Sequence, residues 1–274
     1  RPVAKDADGY LEQEGALDVA FYIVAHESGH QWWGNIVMPG KGPGGNIISE
    51  GLAEFSAIML VHHELGEEQA KTLRRRWEKA YTEGRRADNE RPINRTDGTR
   101  PGDTVVTYNR AGLVFWMLRD LMGEEQMLAG LKAFVAKWKD GVETPEGLDF
   151  PLIEDMVESL RPFAPDQVAF GLFVDQWIYG TTLPELDIAD ADVDGSEGAF
   201  TTSAELRNTG KGTVDVTVRA IGENATQFEN TVVRVAAGGS VPVVIQSAFK
   251  PAKLVVDPEV RLLFAGRKRC EKSL

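Results

Sequence analysis

Two histidines four residues apart bracket a glutamate in the run His26-Glu27-Ser28-Gly29-His30. On a helix this spacing sets both imidazoles on one face, one turn apart, where they can reach a single metal ion. Glu27 then stands beside the ion, placed to touch a bound water rather than the metal. Glu50 follows in Ser49-Glu50-Gly51-Leu52-Ala53-Glu54. A carboxylate delivered from a second helix completes the two-His, one-Glu set of a catalytic zinc with an open fourth position. A zinc ion held this way lowers the pKa of bound water to about 7 and polarises a carbonyl. Glu27 can take the proton from that water and pass it to a leaving amine. A lone histidine on an apolar helix usually only packs; here the pair, the inner glutamate and the returning carboxylate agree.

Such a reaction needs a donor for the developing oxyanion, and a tyrosine hydroxyl suits that task. Tyr108, at the start of the helical run Thr107 to Val114, is the candidate. On the residues alone, packing is the commoner role for such a tyrosine. Glu54 lies four residues after Glu50, on the same helix face. It reads equally as a surface carboxylate or as the acceptor that fixes the tautomer of a ligating histidine. His62 and His63 are adjacent and point to different faces, so they are read as non-ligands. Trp32 and Trp33 are read as core residues.

The elements that must position these groups are helical. Val19 to Ala25 is an apolar run leading into His26, and residues from about Gly15 to Tyr179 read as helix. Val114, Met117, Leu118 and Leu121 keep a helical period, as do Met127, Leu131, Phe134, Val135 and Trp138. Gly123 separates those two helices, and Glu124 and Glu125 suit a helix start. Gly84 to Gly102 reads as a long polar loop. After Gly180-Thr181-Thr182-Leu183-Pro184 the character changes to alternation. Val214, Val216 and Val218 are apolar around Asp215 and Thr217. Thr231 to Val235, Val241 to Ile245 and Leu254 to Val256 are further β-rich runs, with turns at Asn208-Thr209-Gly210 and Ala237-Gly238-Gly239. These short strands suggest an antiparallel sandwich. The expected boundary lies near Leu183 to Asp194, giving a helical region over 1–183 and a β region over 184–274.

The chain has 274 residues, 42% apolar and 26% charged, the profile of an ordinary globular protein. Its net charge of −12 argues against nucleic acid as a partner. The stretch from Lys71 to Arg110 is locally basic and reads as a solvated helix face. No apolar stretch has the length of a membrane span. Cys270 is the one cysteine. It excludes an intrachain disulfide and a cysteine-based zinc site, and says little about compartment. The start at Arg1 suggests a processed or trimmed chain.

Three segments resemble the gluzincin aminopeptidases typified by aminopeptidase N. They are His26-Glu27-Ser28-Gly29-His30-Gln31-Trp32-Trp33-Gly34-Asn35, Ser49-Glu50-Gly51-Leu52-Ala53-Glu54-Phe55, and Val106-Thr107-Tyr108-Asn109-Arg110-Ala111-Gly112 with Met117-Leu118-Arg119. Asp175 to Pro184 is similar to the family's exit into its β domain. The resemblance implies a multidomain α+β protein: a mainly helical, thermolysin-like catalytic subdomain followed by an all-β Ig-like sandwich. It implies one Zn2+ on His26, His30 and Glu50, with Glu27 as general base and Tyr108 as oxyanion donor. The implied activity is hydrolysis of peptide bonds, removing N-terminal residues.

The chain departs from the family pattern in four respects. Nineteen residues separate His30 from Glu50, one more than is usual. The loop Pro39 to Gly45 is glycine-rich where the family carries aromatics, and Ser49 replaces the usual asparagine. The Gly-x-Met-Glu-Asn-type segment that anchors a substrate amino group is not in this sequence. The expectation is a C-terminal part of a larger enzyme, with upstream catalytic segments. A bacterial subgroup fused to an ABC-transporter-type permease is the suggested setting, which would place a membrane anchor upstream. Endopeptidase action, epoxide opening and a non-catalytic zinc module of a transporter are the rival readings.

Overall fold

The computed structural model describes residues 17–274, so an expected helix start near Gly15 lies outside the described residues. The described residues up to Thr181 form one compact unit, and Thr182–Leu274 form a second. The first is mainly helical and the second is built from antiparallel sheets, as the resemblance implies.

Helix α1 (Val19–Gly29) starts where the Asp18 carboxylate accepts the Phe21 amide at 2.9 Å, satisfying one of the free donors of a helix start. Helices α2 (Leu52–Leu65) and α3 (Glu67–Gly84) follow. A single turn α4 (Asp103–Val105) leads through Val106–Arg110 into α5 (Ala111–Met122). Helix α6 (Glu124–Trp138), α7 (Ile153–Leu160) and α8 (Gln167–Phe173) complete the set. The expected periodic faces of α5 and α6 are buried at Val114, Met117 and Leu118 and at Met127, Leu131, Phe134 and Trp138. Trp77, Trp116, Phe55 and Phe115 fill the core between α2, α3 and α5.

Two close approaches bring the site together. A Cβ on Gly29 would stand 3.1 Å from Ala53 Cα, so this glycine lets α1 lie directly on α2. A Cβ on Gly51 would stand 2.9 Å from Ala111 Cβ, so the entry to α2 rests against the start of α5.

The region is not helical throughout. A short hairpin, β1 (Val142–Thr144) with β2 (Gly147–Asp149), interrupts it. The long polar loop is present, with one 3-10 turn at Ile93–Arg95.

In the second unit, β3 (Leu186–Ser196), β4 (Ala199–Asn208), β5 (Val214–Gly222), β6 (Phe228–Val235), β7 (Ser240–Ser247), β8 (Pro251–Val256) and β9 (Glu271–Ser273) make two sheets. Their orders are β3-β4-β7 and β6-β5-β8-β9, with every pairing antiparallel. Val214, Val216, Val218 and Ala220 point inward from β5 and Asp215 outward, the period-two pattern of a strand with one buried face. The register places Val214 opposite Val235 and Val218 opposite Val256.

Candidate metal centre

Helix α1 carries His26 near its end and His30 just past it, and the imidazole rings stand 4.9 Å apart, edge to face. Glu50 reaches them from the turn before α2. Its Oε2 lies 3.5 Å from His26 Nε2 and 3.4 Å from His30 Nε2. One ligand atom from each residue lies within 4.8 Å of the others, the one such group among the described residues. Two imidazole nitrogens and a carboxylate oxygen converging in this way fit a divalent cation such as zinc.

The turn bearing Glu50, Ile47–Gly51, is a π turn, in which the Leu52 amide reaches back to the Ile47 carbonyl. Tyr108 occupies a second π turn, Val106–Arg110, closed by the Ala111 amide on the Val106 carbonyl. Single π turns inside helices frequently mark functional positions. Tyr108 therefore does not open its helix, which already begins at Asp103. Its ring stacks on His26 at 6.1 Å and 21° between planes. Burial and the nearby Glu50 carboxylate push its hydroxyl up to about 12, so it stays a donor at neutral pH. Glu27, on the exposed side of α1, adds to that upward push by its charge.

The histidines are held from behind. His30 Nδ1 lies 3.0 Å from the Trp33 carbonyl, which can only accept, so Nδ1 carries the proton and Nε2 is left for a cation. The segment after the motif folds back to provide that acceptor. The Val37 amide donates to the Trp32 carbonyl, and Asn35 Nδ2 donates to the His30 carbonyl at 2.6 Å. Trp33 anchors the turn in the core through Nε1 to Ser56 Oγ at 2.8 Å. Nothing in the side-chain pattern signals this backbone acceptor. The two tryptophans also separate: Trp33 is 6% exposed, while Trp32 is 51% exposed and is not a core residue.

Behind His26 stands Glu54, 2% exposed and so not a surface carboxylate. The Tyr22 hydroxyl donates to both of its oxygens, at 2.8 Å each. His26 Nδ1 is buried without a hydrogen-bond partner, and Glu54 Oε2 is 3.6 Å from it. Burial pushes the His26 imidazole down, but Glu50 and Glu54 outweigh it and hold it up at about 9. The hydrogen bond from His26 holds the Glu50 carboxyl below its ordinary range. His62 and His63 lie elsewhere, facing Glu67 and Glu124.

The basic stretch is only partly solvated. Arg76 and Arg86 are exposed, but Arg74 lies buried over Trp116 and bonds Glu67. Arg110 is fully buried, two residues after Tyr108. It donates to the Tyr81 hydroxyl at 3.0 Å and to the Trp177 and Gly180 carbonyls at 3.2 Å each. Arg110 thereby pins the Tyr108 turn to α3 and to the chain past α8.

A cleft of about 320 Å³ opens beside Glu50 and Tyr108. Gly98, from the long polar loop, forms part of its wall. Among the described residues no helix is long and apolar enough to cross a membrane.

None of the curated proteins matches the chain. The family model described as the Peptidase family M1 domain matches residues 9–164, which include the whole histidine, glutamate and tyrosine constellation. The chain belongs to peptidase family M1, a family of zinc-dependent metallopeptidases, and its helical unit carries that family's hydrolase domain.

Proposed function

We propose that this chain removes N-terminal residues from peptides, with zinc held by His26, His30 and Glu50. In this reading residues 1–183 form the catalytic region and residues 184–274 a β-sandwich domain. The observation that carries it is the convergence of the three ligand atoms within 4.8 Å, with the Tyr108 ring stacked on His26. When bound, zinc supplies a Lewis acid that acidifies water and polarises the scissile carbonyl. Glu27 takes the proton from the attacking water and returns it to the leaving amine nitrogen. It lies exposed beside the histidines and is open to water. Tyr108 donates its hydroxyl proton in a hydrogen bond to the carbonyl oxygen as that oxygen gains charge. His30 is oriented by the Trp33 carbonyl, and Glu54 faces the second nitrogen of His26.

The test is hydrolysis of unblocked aminoacyl anilides by the zinc-loaded chain, with the Glu27→Gln chain as blank. Activity absent from the blank supports the reading; equal activity in both sinks it. The same peptide with a free and with an acetylated amino end separates exopeptidase from endopeptidase action.

A further inference from the structure

The cleft beside Glu50 and Tyr108 is small and polar. Its walls include the Asn46 carboxamide and the hydroxyls of Ser49, Thr104 and Thr107. Among the described residues, none of these four side chains hydrogen-bonds another protein group. Their donors and acceptors are therefore available to whatever enters. Pro39 and the Tyr108 ring are the only sizeable apolar surfaces on the walls, and Glu50 is the only charged lining residue. A volume of about 320 Å³ lies at the lower end for ligand sites and holds one side chain, not an extended ligand.

The loop side of the cleft is fixed in place. Arg91 bonds both Asp97, next to Gly98, and Asp103, at the start of α4. A single guanidinium thus ties the loop wall to the turn that leads to Thr104, Thr107 and Tyr108. Preorganised polar walls discriminate against side chains that leave them unpaired.

We propose that this cleft selects peptides whose residue next to the scissile bond bears a small hydroxyl or carboxamide side chain. Large aliphatic and aromatic side chains strip water from four polar groups and return no hydrogen bonds. Acidic side chains meet no lysine or arginine in the walls. The inference rests on the peptidase reading above and adds the substrate class.

The experiment uses two dipeptide series, X-Ala and Ala-X, with X as Ser, Thr, Asn, Leu or Phe. In at least one series, kcat/KM for Ser, Thr and Asn exceeds that for Leu and Phe by about tenfold or more. Asn46→Leu with Thr104→Leu, both at exposed positions, narrows or inverts that ratio while zinc content and thermal stability stay as before. Equal rates, a preference for Leu and Phe in both series, or a ratio untouched by the double variant overturns the proposal. Calorimetric binding of the same dipeptides to the Glu27→Gln chain separates the two readings. Selective binding that the double variant abolishes, with no turnover by the unmodified chain, upholds the cleft and fells the peptidase reading. Neither selective turnover nor selective binding fells the cleft.

Discussion

The Tyr22 hydroxyl bridges both oxygens of Glu54, 2.8 Å from each, and so turns a buried carboxylate toward His26 Nδ1. Removing the hydroxyl leaves Glu54 buried with its principal donor gone. Tyr22→Phe is expected to destabilise the chain by about 1–3 kcal/mol. Urea unfolding of the metal-free chain checks this, and an unchanged midpoint removes Tyr22 from the support of the site.

Glu54→Gln keeps the volume and removes the charge facing His26. Partners of this kind typically alter metal affinity by about 10–100-fold. Competition with a chelator of known zinc affinity is the measurement. Unaltered affinity would make Glu54 a purely structural carboxylate.

Glu27→Gln should retain one zinc per chain and lose turnover by at least 10²–10⁴-fold, roughly the scale of general base catalysis. Metal analysis beside single-turnover kinetics reads both quantities. Turnover at the parent rate removes Glu27 from the mechanism.

Tyr108→Phe removes a donor needed only as charge develops, so kcat should fall by about 10²–10³-fold with KM little changed. The opposite split, a raised KM at constant kcat, assigns Tyr108 to ground-state binding.

The pH dependence follows from His26. In the chelator-treated chain its imidazole is held at about 9, above the ordinary histidine value of about 6.5. A group raised on folding stabilises fully below its unfolded pKa and loses that contribution as pH rises through the folded one. Stability from this group is therefore greatest below about 6.5 and falls away through about 9. Denaturation midpoints of the chelated protein should fall across this window, and His26→Gln should flatten the fall. Zinc reverses the preference, because binding requires the neutral imidazole and releases a proton.

The metal ligands were legible because their chemistry demands particular residue types at a helical spacing. His26, His30 and Glu50 meet as that spacing requires. Glu54 was ambiguous, since nothing local distinguishes a buried glutamate from a solvated one. Its burial depends on Tyr22 and on α5, both remote in sequence. The Trp33 carbonyl was invisible because a backbone acceptor has no residue signature. Arg110 read as solvated charge, yet its acceptors Tyr81, Trp177 and Gly180 lie far along the chain. Strands β5 to β8 show clean alternation and were foreseen. The aspartates along β3, a residue type depleted in strands, masked that element, and the three-residue strands of the hairpin are too short to show a period.

The two π turns make residue count equivalent to direction. Each residue of an α-helix advances about 100° around the axis. A turn closed five residues back, as at Ile47–Gly51, takes in one residue more than an α turn. Deleting Gly51 lets the segment close as ordinary helix and rotates everything before it, Glu50 included, by about that angle relative to α2. Glu50 would swing away from the histidines while every helix stayed intact. Nineteen residues separate His30 from Glu50, so this stretch has an angular phase as well as a length. The carboxylate faces the metal site only while that phase is kept.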